Sequence, residues 1–317
     1  MTAFFLLCLP VIAMVALGWM AIRLHLMPVA AIDILGGFSF RFALPALVLR
    51  MIGQDGGATL FDPLFFVAYL ASGGLTFLLA FLLIGRPGWS GAGRAGARAT
   101  TATVSNLGFL GPPIVLSAFG PRGAGPLAMA ILCEVMIVMS VGAVIMAASG
   151  DKSAWRKRAP WGPVLPVLRG VAANPVIGAI ALGAIMALAD WSPPPALDRI
   201  LSLLGASAAP TALFSVGGAL AVRRPDRATF RVAAGISLFK LGLYPLVVWW
   251  LLAVVLKAGS FWCGVGTLMA ALPSAGSTMA LAGLYTDDAE RVSAGIVLST
   301  LLSVITVPLV GSWVLRP

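Results

Sequence analysis

The chain alternates long apolar runs with short polar or glycine- and proline-rich interruptions, and the runs set its architecture. The hydrocarbon core of a bilayer takes about 20 residues of helix. On that measure the sequence predicts ten membrane-crossing helices, at about residues 3–22, 29–53, 63–85, 99–119, 124–149, 171–190, 196–222, 229–256, 262–284 and 291–314. Periodicity adds little, because buried spans are apolar on most faces. The first run has no Lys or Arg ahead of it and no small-residue cleavage pattern, so it reads as a retained span. The fourth run is different in kind. Its sequence TVSNLGFLGPPIVLSAFG carries Pro112 and Pro113, which lack N–H groups and clash with the preceding turn. Gly108 and Gly111 loosen the same region, and a polar Ser105-Asn106 pair stands just ahead. This run predicts a helix broken at bilayer depth. Freed peptide groups are tolerated there only against protein or a water-filled cavity, and secondary transporters place their substrates at such breaks.

The two halves of the chain match at an offset of 165 residues. Pro10-Val11-Ile12 and Leu17-Gly18 correspond to Pro175-Val176-Ile177 and Leu182-Gly183, Asp33 to Asp198, and Pro45 to Pro210. The pattern predicts a duplication, with one five-helix repeat over 1–149, a basic cytoplasmic loop over 150–170 and a second repeat over 171–317. An odd number of spans per half makes the copies insert upside down relative to each other, the inverted-repeat plan of secondary transporters. The ninth span should then be broken as the fourth is. It reads LMAALPSAGSTMALAGLY, with Pro273, Gly276, Ser274, Ser277 and Thr278 in mid-span. The expected fold is an all-α polytopic membrane protein whose broken helices four and nine cross near the midplane. Half-helix N-termini there favour an anion without a buried cation.

Composition agrees with the spans. The chain is 60% hydrophobic and 10% charged, with mean hydropathy +1.02, where a soluble domain carries about 25% charged residues. Its net charge of +10 does not point to nucleic acid, because the basic residues sit between spans. Loops after odd-numbered spans hold fourteen Lys and Arg and those on the other side four, with Arg41, Arg50 and Lys240 inside spans. The bias places both termini outside the cytoplasm; equal sidedness requires an even number of spans, which agrees with ten. Cys8, Cys133 and Cys263 lie apart and His25 is the sole histidine, so no disulfide framework or metal site is indicated. GxSxG, HExxH and paired membrane aspartates are absent from the sequence, and the chain is read as not an enzyme and without a cofactor.

The residues that could carry transport are few. Asn106 offers an amide to a substrate, or it staples two helices together. Ser105, Ser274, Ser277 and Thr278 offer hydroxyls, which in helices also bond back to their own carbonyls. Gly111, Pro112, Pro113 and Pro273 shape the breaks. Glu134, within span five, either carries a coupling proton or pairs with a cation. Arg41 and Lys240 either attract a carboxylate, pair with Glu134 or snorkel to an interface. The Asp287-Asp288-Glu290-Arg291 group reads as a solvated turn or a cap before span ten.

These motifs resemble a known family. Ser105 to Pro113, closing with Ala118-Phe119-Gly120, is similar to the fourth-helix signature of the auxin efflux carrier family. Phe42 to Leu47, Asn174-Pro175, Lys240 with Pro245, Ala271 to Ala275, and Ser299-Thr300 to Pro308 resemble its second, sixth, eighth, ninth and tenth helices. The resemblance implies ten helices in two inverted repeats with crossed helices four and nine, a plan shared with sodium–proton exchangers and bile-acid symporters. It implies a permease of the compact bacterial type, in the inner membrane, for a small organic anion such as malate, malonate or an auxin-like acid. Coupling to H⁺ or Na⁺ is left open, and so is a homodimer. The family usually has an Asn near the helix-nine break, and Ser277 occupies that slot here. The alternatives are a sodium-coupled bile-acid-type carrier, a cation exchanger or a passive anion facilitator.

Overall fold

The structure is a computed structural model that describes residues 2–54, 61–85, 91–149, 173–222 and 227–314, so the basic loop at 150–170 lies outside the described residues. In chain order the helices are α1 (Thr2–Arg23), α2 (Ala30–Phe38), α3 (Leu44–Gln54), α4 (Pro63–Leu83), α5 (Ala92–Thr103), α6 (Gly111–Phe119), α7 (Ala124–Ile131), α8 (Met139–Ser149), α9 (Pro175–Leu188), α10 (Pro195–Val222), α11 (Arg227–Leu238), α12 (Tyr244–Trp249), α13 (Ser260–Ala270), α14 (Ser277–Tyr285) and α15 (Ala289–Val314). Among the described residues six helical runs are long and apolar enough to cross a membrane, at Ala30–Gly53, Pro63–Leu83, Gly111–Ala148, Pro195–Ala219, Thr229–Val255 and Ala289–Val314. The chain is a polytopic, all-helical membrane protein.

Three of these runs contain widened π segments: Ser39–Ala43 between α2 and α3, Leu132–Val138 between α7 and α8, Phe239–Leu243 between α11 and α12, and, at the end of the same run as the last, Trp250–Val255, which carries no charge. The first three are the mid-run turns. Two have a proline as their cause. Pro45 and Pro245 have no N–H to give, and in each case the residue just before the proline reaches back five positions, Leu44 N–H to Ser39 O and Tyr244 N–H to Phe239 O. No proline follows the turn at Leu132–Val138. The three turns carry Arg41, Glu134 and Lys240, so the three charges that the sequence offers for coupling or charge pairing all sit where the helix is wound loosely.

The chain divides into two compact units. The first comprises Met1–Asp62, Leu107–Met129 and Ala173–Arg223. Here α1 lies directly on α10: a Cβ at Gly18 would collide with the Phe214 carbonyl, and one at Gly217 with that of Val15. Small residues at such seams let backbones approach where lipid offers no hydrophobic drive. Arg50 and Asp198 join α3 to α10 through two bonds of 2.7 and 3.1 Å. Helices α1 and α9 end alike. His25 and Asp190 both adopt left-handed φ, 57° and 50°. Leu26 N–H bonds to Ala21 O and Trp191 N–H to Met186 O, the same closure 165 residues apart.

The second unit comprises Pro63–Asn106, Ala130–Ala172 and Arg224–Pro317. The fourth span starts earlier here than its hydropathy suggests, because α5 runs from Ala92 with Arg94 and Arg98 inside it. Their charge is met by the turn before α15. Arg98 makes a bidentate pair with Asp288 at 2.6 and 3.1 Å, and Arg291 adds a 2.8 Å bond to the same carboxylate. The Asp288 side chain is 0% exposed, so at this residue the turn is a buried clasp between α5 and α15 and not solvated, while Asp287 and Glu290 are exposed and Asp288 stands just before the first residue of α15, where the cap reading put it. Asp287 pairs with Arg94 at the surface, and that guanidinium holds its carboxyl below the usual carboxylate range.

Removing one partner of a buried ion pair costs about 3–5 kcal/mol, whereas an exposed pair contributes at most about 1 kcal/mol. Asp288→Ala should therefore lower the apparent Tm of the purified protein clearly, and Asp287→Ala should leave it nearly unchanged. Equal shifts in a thermal-unfolding scan would show that the clasp is not the stronger contact.

Candidate transport site

Both predicted breaks are present, and they lie against each other within the second unit. Helix α5 stops at Thr103 and α13 stops at Ala270. Residues 104–106 and 273–275 then run extended and antiparallel, with Ser105 opposite Ser274. Asn106 N–H donates to Pro273 O at 2.7 Å, and Ala275 N–H donates to Val104 O at 3.0 Å. The other freed donors are also met. Ser105 N–H reaches Glu134 Oε2 at 2.5 Å, and Ser274 N–H reaches Ser299 Oγ at 3.2 Å. Pro273 has no N–H to satisfy. Each unpaired peptide group in an apolar interior costs several kcal/mol, so each break supplies the partners that make the other possible.

Glu134 and Lys240 meet at this pairing through Ser105. The Lys240 ammonium donates to Ser105 Oγ at 2.7 Å and to Ala270 O at 2.6 Å, and it lies 4.5 Å over the Tyr244 ring. Ser105 Oγ donates onward to Glu134 Oε1 at 2.9 Å. Tyr69 and Tyr244 hydroxyls donate to the same oxygen at 2.8 and 3.0 Å. Lys240 is 0% and Glu134 1% exposed. Snorkelling to an interface is therefore excluded for Lys240, and its pairing with Glu134 is indirect, one hydroxyl apart. The charges match the backbone they touch. Ala270 O is a C-terminal helix carbonyl and receives a cation; Ser105 N–H is a freed donor and receives an anion.

The remaining candidates divide by exposure and by partner. Thr278 Oγ1 donates to Ala275 O at 2.8 Å and receives Thr101 Oγ1 at 3.1 Å, which ties α14 to α5. Ser274 is fully buried and its hydroxyl has no partner. Asn106 is 4% exposed. Ser277, the first residue of α14, is exposed. In the first unit Gly111, Pro112 and Pro113 open α6, with Gly111 and Pro112 buried. A Cβ at Gly111 would lie 2.8 Å from Leu127 Cδ1. Arg41 is exposed on the π-turn between α2 and α3.

Tyr69 and Tyr244 are the residues that sequence reasoning missed. A tyrosine inside an apolar run carries no signal by itself. The available hint was two mid-span hydroxyls on spans that also hold, or lie beside, a charge. Their rings stack into an aromatic group with Phe65 and Trp262, with Tyr69 5.9 Å from Tyr244 and Phe65 5.1 Å from Trp262.

A double-mutant cycle separates the charge pair from the fold. Lys240→Met leaves a buried anion with one fewer cation nearby, and Glu134→Gln leaves the reverse; each should cost about 3–5 kcal/mol, and the double variant should recover most of it. The checks are apparent Tm and the monodisperse fraction on size-exclusion chromatography. Additive losses would mean that the two side chains act independently.

The membrane transport protein family matches residues 3–310. A protein of Rhizobium meliloti (strain 1021) named "Putative malonate transporter" is 29% identical over 304 residues, 95% of this chain and 92% of the relative. An "Uncharacterized transporter" of Methanothermobacter thermautotrophicus is 26% identical over 308 residues, 95% of both chains. With both breaks in place and the match running through nearly all of its length, the chain belongs to the membrane transport protein family, that of the auxin efflux carriers.

Proposed function

We propose that this chain is a secondary transporter that moves a small organic anion, a carboxylate such as malonate, malate or an auxin-like acid, by alternating access around the two paired breaks. The observation that carries this reading is the antiparallel pairing of Ser105 with Ser274 inside an apolar protein. It holds two interrupted helices together at bilayer depth, with Asn106 and Ser277 beside the interruption. Malonate is the first substrate to test because a relative over nearly the full length bears that name.

The proposed architecture is ten spans in two inverted five-helix halves, 1–149 and 171–317, joined by the basic loop at 150–170. The repeated left-handed helix ends at His25 and Asp190 and the two breaks support it. The charge bias supports an inner-membrane orientation with both termini outside the cytoplasm. In the same reading Ser105 positions Glu134 and Lys240 rather than touching substrate, since its hydroxyl is engaged on both sides. Glu134 accepts from two phenols, a hydroxyl and a peptide N–H. A cation exchanger needs a carboxylate open to its ion, so the anion carrier is favoured.

The test is uptake of labelled malonate, malate and indole acetate into proteoliposomes under imposed pH, Na⁺ and electrical gradients. Gradient-driven accumulation is expected for at least one anion. Equilibration without accumulation would identify a passive facilitator, and no flux of any anion by folded protein would overturn the reading. Asn106→Ala and Pro113→Ala should each cut uptake about tenfold, the loss of roughly one hydrogen bond to a charged group or of the break's shape, with expression within about twofold. Wild-type uptake in both variants would remove the breaks from the mechanism.

A further inference from the structure

We propose that the Arg41 guanidinium binds a carboxylate group of the transported anion. The inference rests on the function proposed above and adds to it a cation carried by the first unit. Arg41 lies eleven residues after Ala30, the start of α2, and thirteen before Gln54, the end of α3. About 16 Å of helix therefore separates it from the nearer end. The hydrocarbon core is about 30 Å thick, so a run of this length that crosses it places Arg41 near its middle, away from the helix ends at which Arg snorkels to an interface.

Arg41 is nevertheless exposed, and among the described residues no carboxylate pairs with it. The nearest acid on its own helix is Asp33, eight residues and about 12 Å away. A charge at this depth without a protein partner faces water or a ligand rather than lipid, because hydrocarbon cannot solvate it. The other basic residue on this helical run, Arg50, lies three residues before its end at Gly53 and is already committed to Asp198.

The turn that carries Arg41 is built onto the broken fourth span. Phe40, its neighbour, sets its ring edge against Phe109, centroids 6.4 Å apart and planes at 76°. Leu44 reaches Gly108 so closely that a Cβ there would lie 2.9 Å from Leu44 Cδ2. Arg41 thus stands on a loosely wound turn that is packed against residues 108 and 109, inside the stretch between α5 and α6. A planar guanidinium presents two parallel N–H groups that match a carboxylate, which a neutral amide or a lysine ammonium does not reproduce.

The experiment compares wild type, Arg41→Lys and Arg41→Gln in proteoliposome uptake of malonate, malate, succinate and acetate. Thermal stabilisation of the detergent-solubilised protein by each anion is measured in parallel. Arg41→Gln should raise KM roughly 10- to 100-fold, the loss of a charge-assisted bond, with kcat within about twofold. Arg41→Lys should fall between. The apparent Tm without anion should be unchanged and the anion-induced rise lost. An unchanged KM in Arg41→Gln, while wild type transports, overturns this inference alone. So does an unchanged KM with altered oligomer size on chromatography, which would place the guanidinium against a second copy. Failure of wild type with every carboxylate overturns the function proposed above, and this inference with it.

Discussion

Everything in the second unit depends on one constraint: a helix interrupted inside a bilayer has to find partners for its peptide groups. The pairing of 104–106 with 273–275 meets that constraint with bonds from one segment to the other. Neither segment could be extended alone, because its N–H and C=O groups would face apolar side chains. The surrounding structure follows. Ser299 on α15 receives the Ser274 N–H, and Glu134 on the π-turn between α7 and α8 receives that of Ser105. Lys240 meets the last carbonyl of α13. The Asp288 clasp then ties α5 to the turn that follows α14, so the broken helices are joined at their polar end as well as at their middle.

The buried charges are intelligible only in that setting. An isolated carboxylate or ammonium at this depth would be far costlier than any packing it provides. Here each is placed on backbone of opposite polarity, and a serine hydroxyl transmits between them. The net charge of the group is zero, and each ion is hydrogen-bonded on several sides. The π-turns give a mechanical reason for where these residues stand. Widening a turn re-aims one side chain relative to the regular helix, and Lys240 gains a route to both Ser105 Oγ and Ala270 O.

How much of this could be read from the chain varies by feature. The breaks were legible because proline has no N–H and glycine no Cβ; those absences are local and survive any tertiary context. Glu134 and Lys240 were legible as charges within spans, and their pairing stood as one option among three; the Ser105 hydroxyl that links them was not, since 106 positions separate the two charges and nothing local encodes their meeting. Tyr69 and Tyr244 were not legible, because a buried tyrosine looks the same whether its hydroxyl serves a carboxylate or a carbonyl. The Asp288 turn was misjudged for a similar reason. Four charged residues in sequence suggest water, yet the partner of Asp288 is Arg98, on a helix whose polar first half had been assigned to a loop.

On the proposed function, the two half-helices that follow the breaks are unequal as anion sites. A helix N-terminus binds anions through its first free N–H groups. In α6 two of those positions are Pro112 and Pro113, which have none, and Ile114 N–H already bonds to Leu110 O. In α14 the corresponding positions are Ser277 and Thr278; Thr278 N–H bonds to Ala275 O and Met279 N–H to Gly276 O, and the exposed Ser277 sets its hydroxyl 3.8 Å from Met139 Sδ, a weak acceptor. On the proposed function the advantage of α14 over α6 is therefore confined to the Ser277 N–H and hydroxyl. With the hydroxyls of Ser105 and Thr278 engaged elsewhere, the second unit's candidates for the anion are Ser277 and the Asn106 amide. One hydroxyl at position 277, where relatives are expected to have an amide, gives this chain fewer donors there.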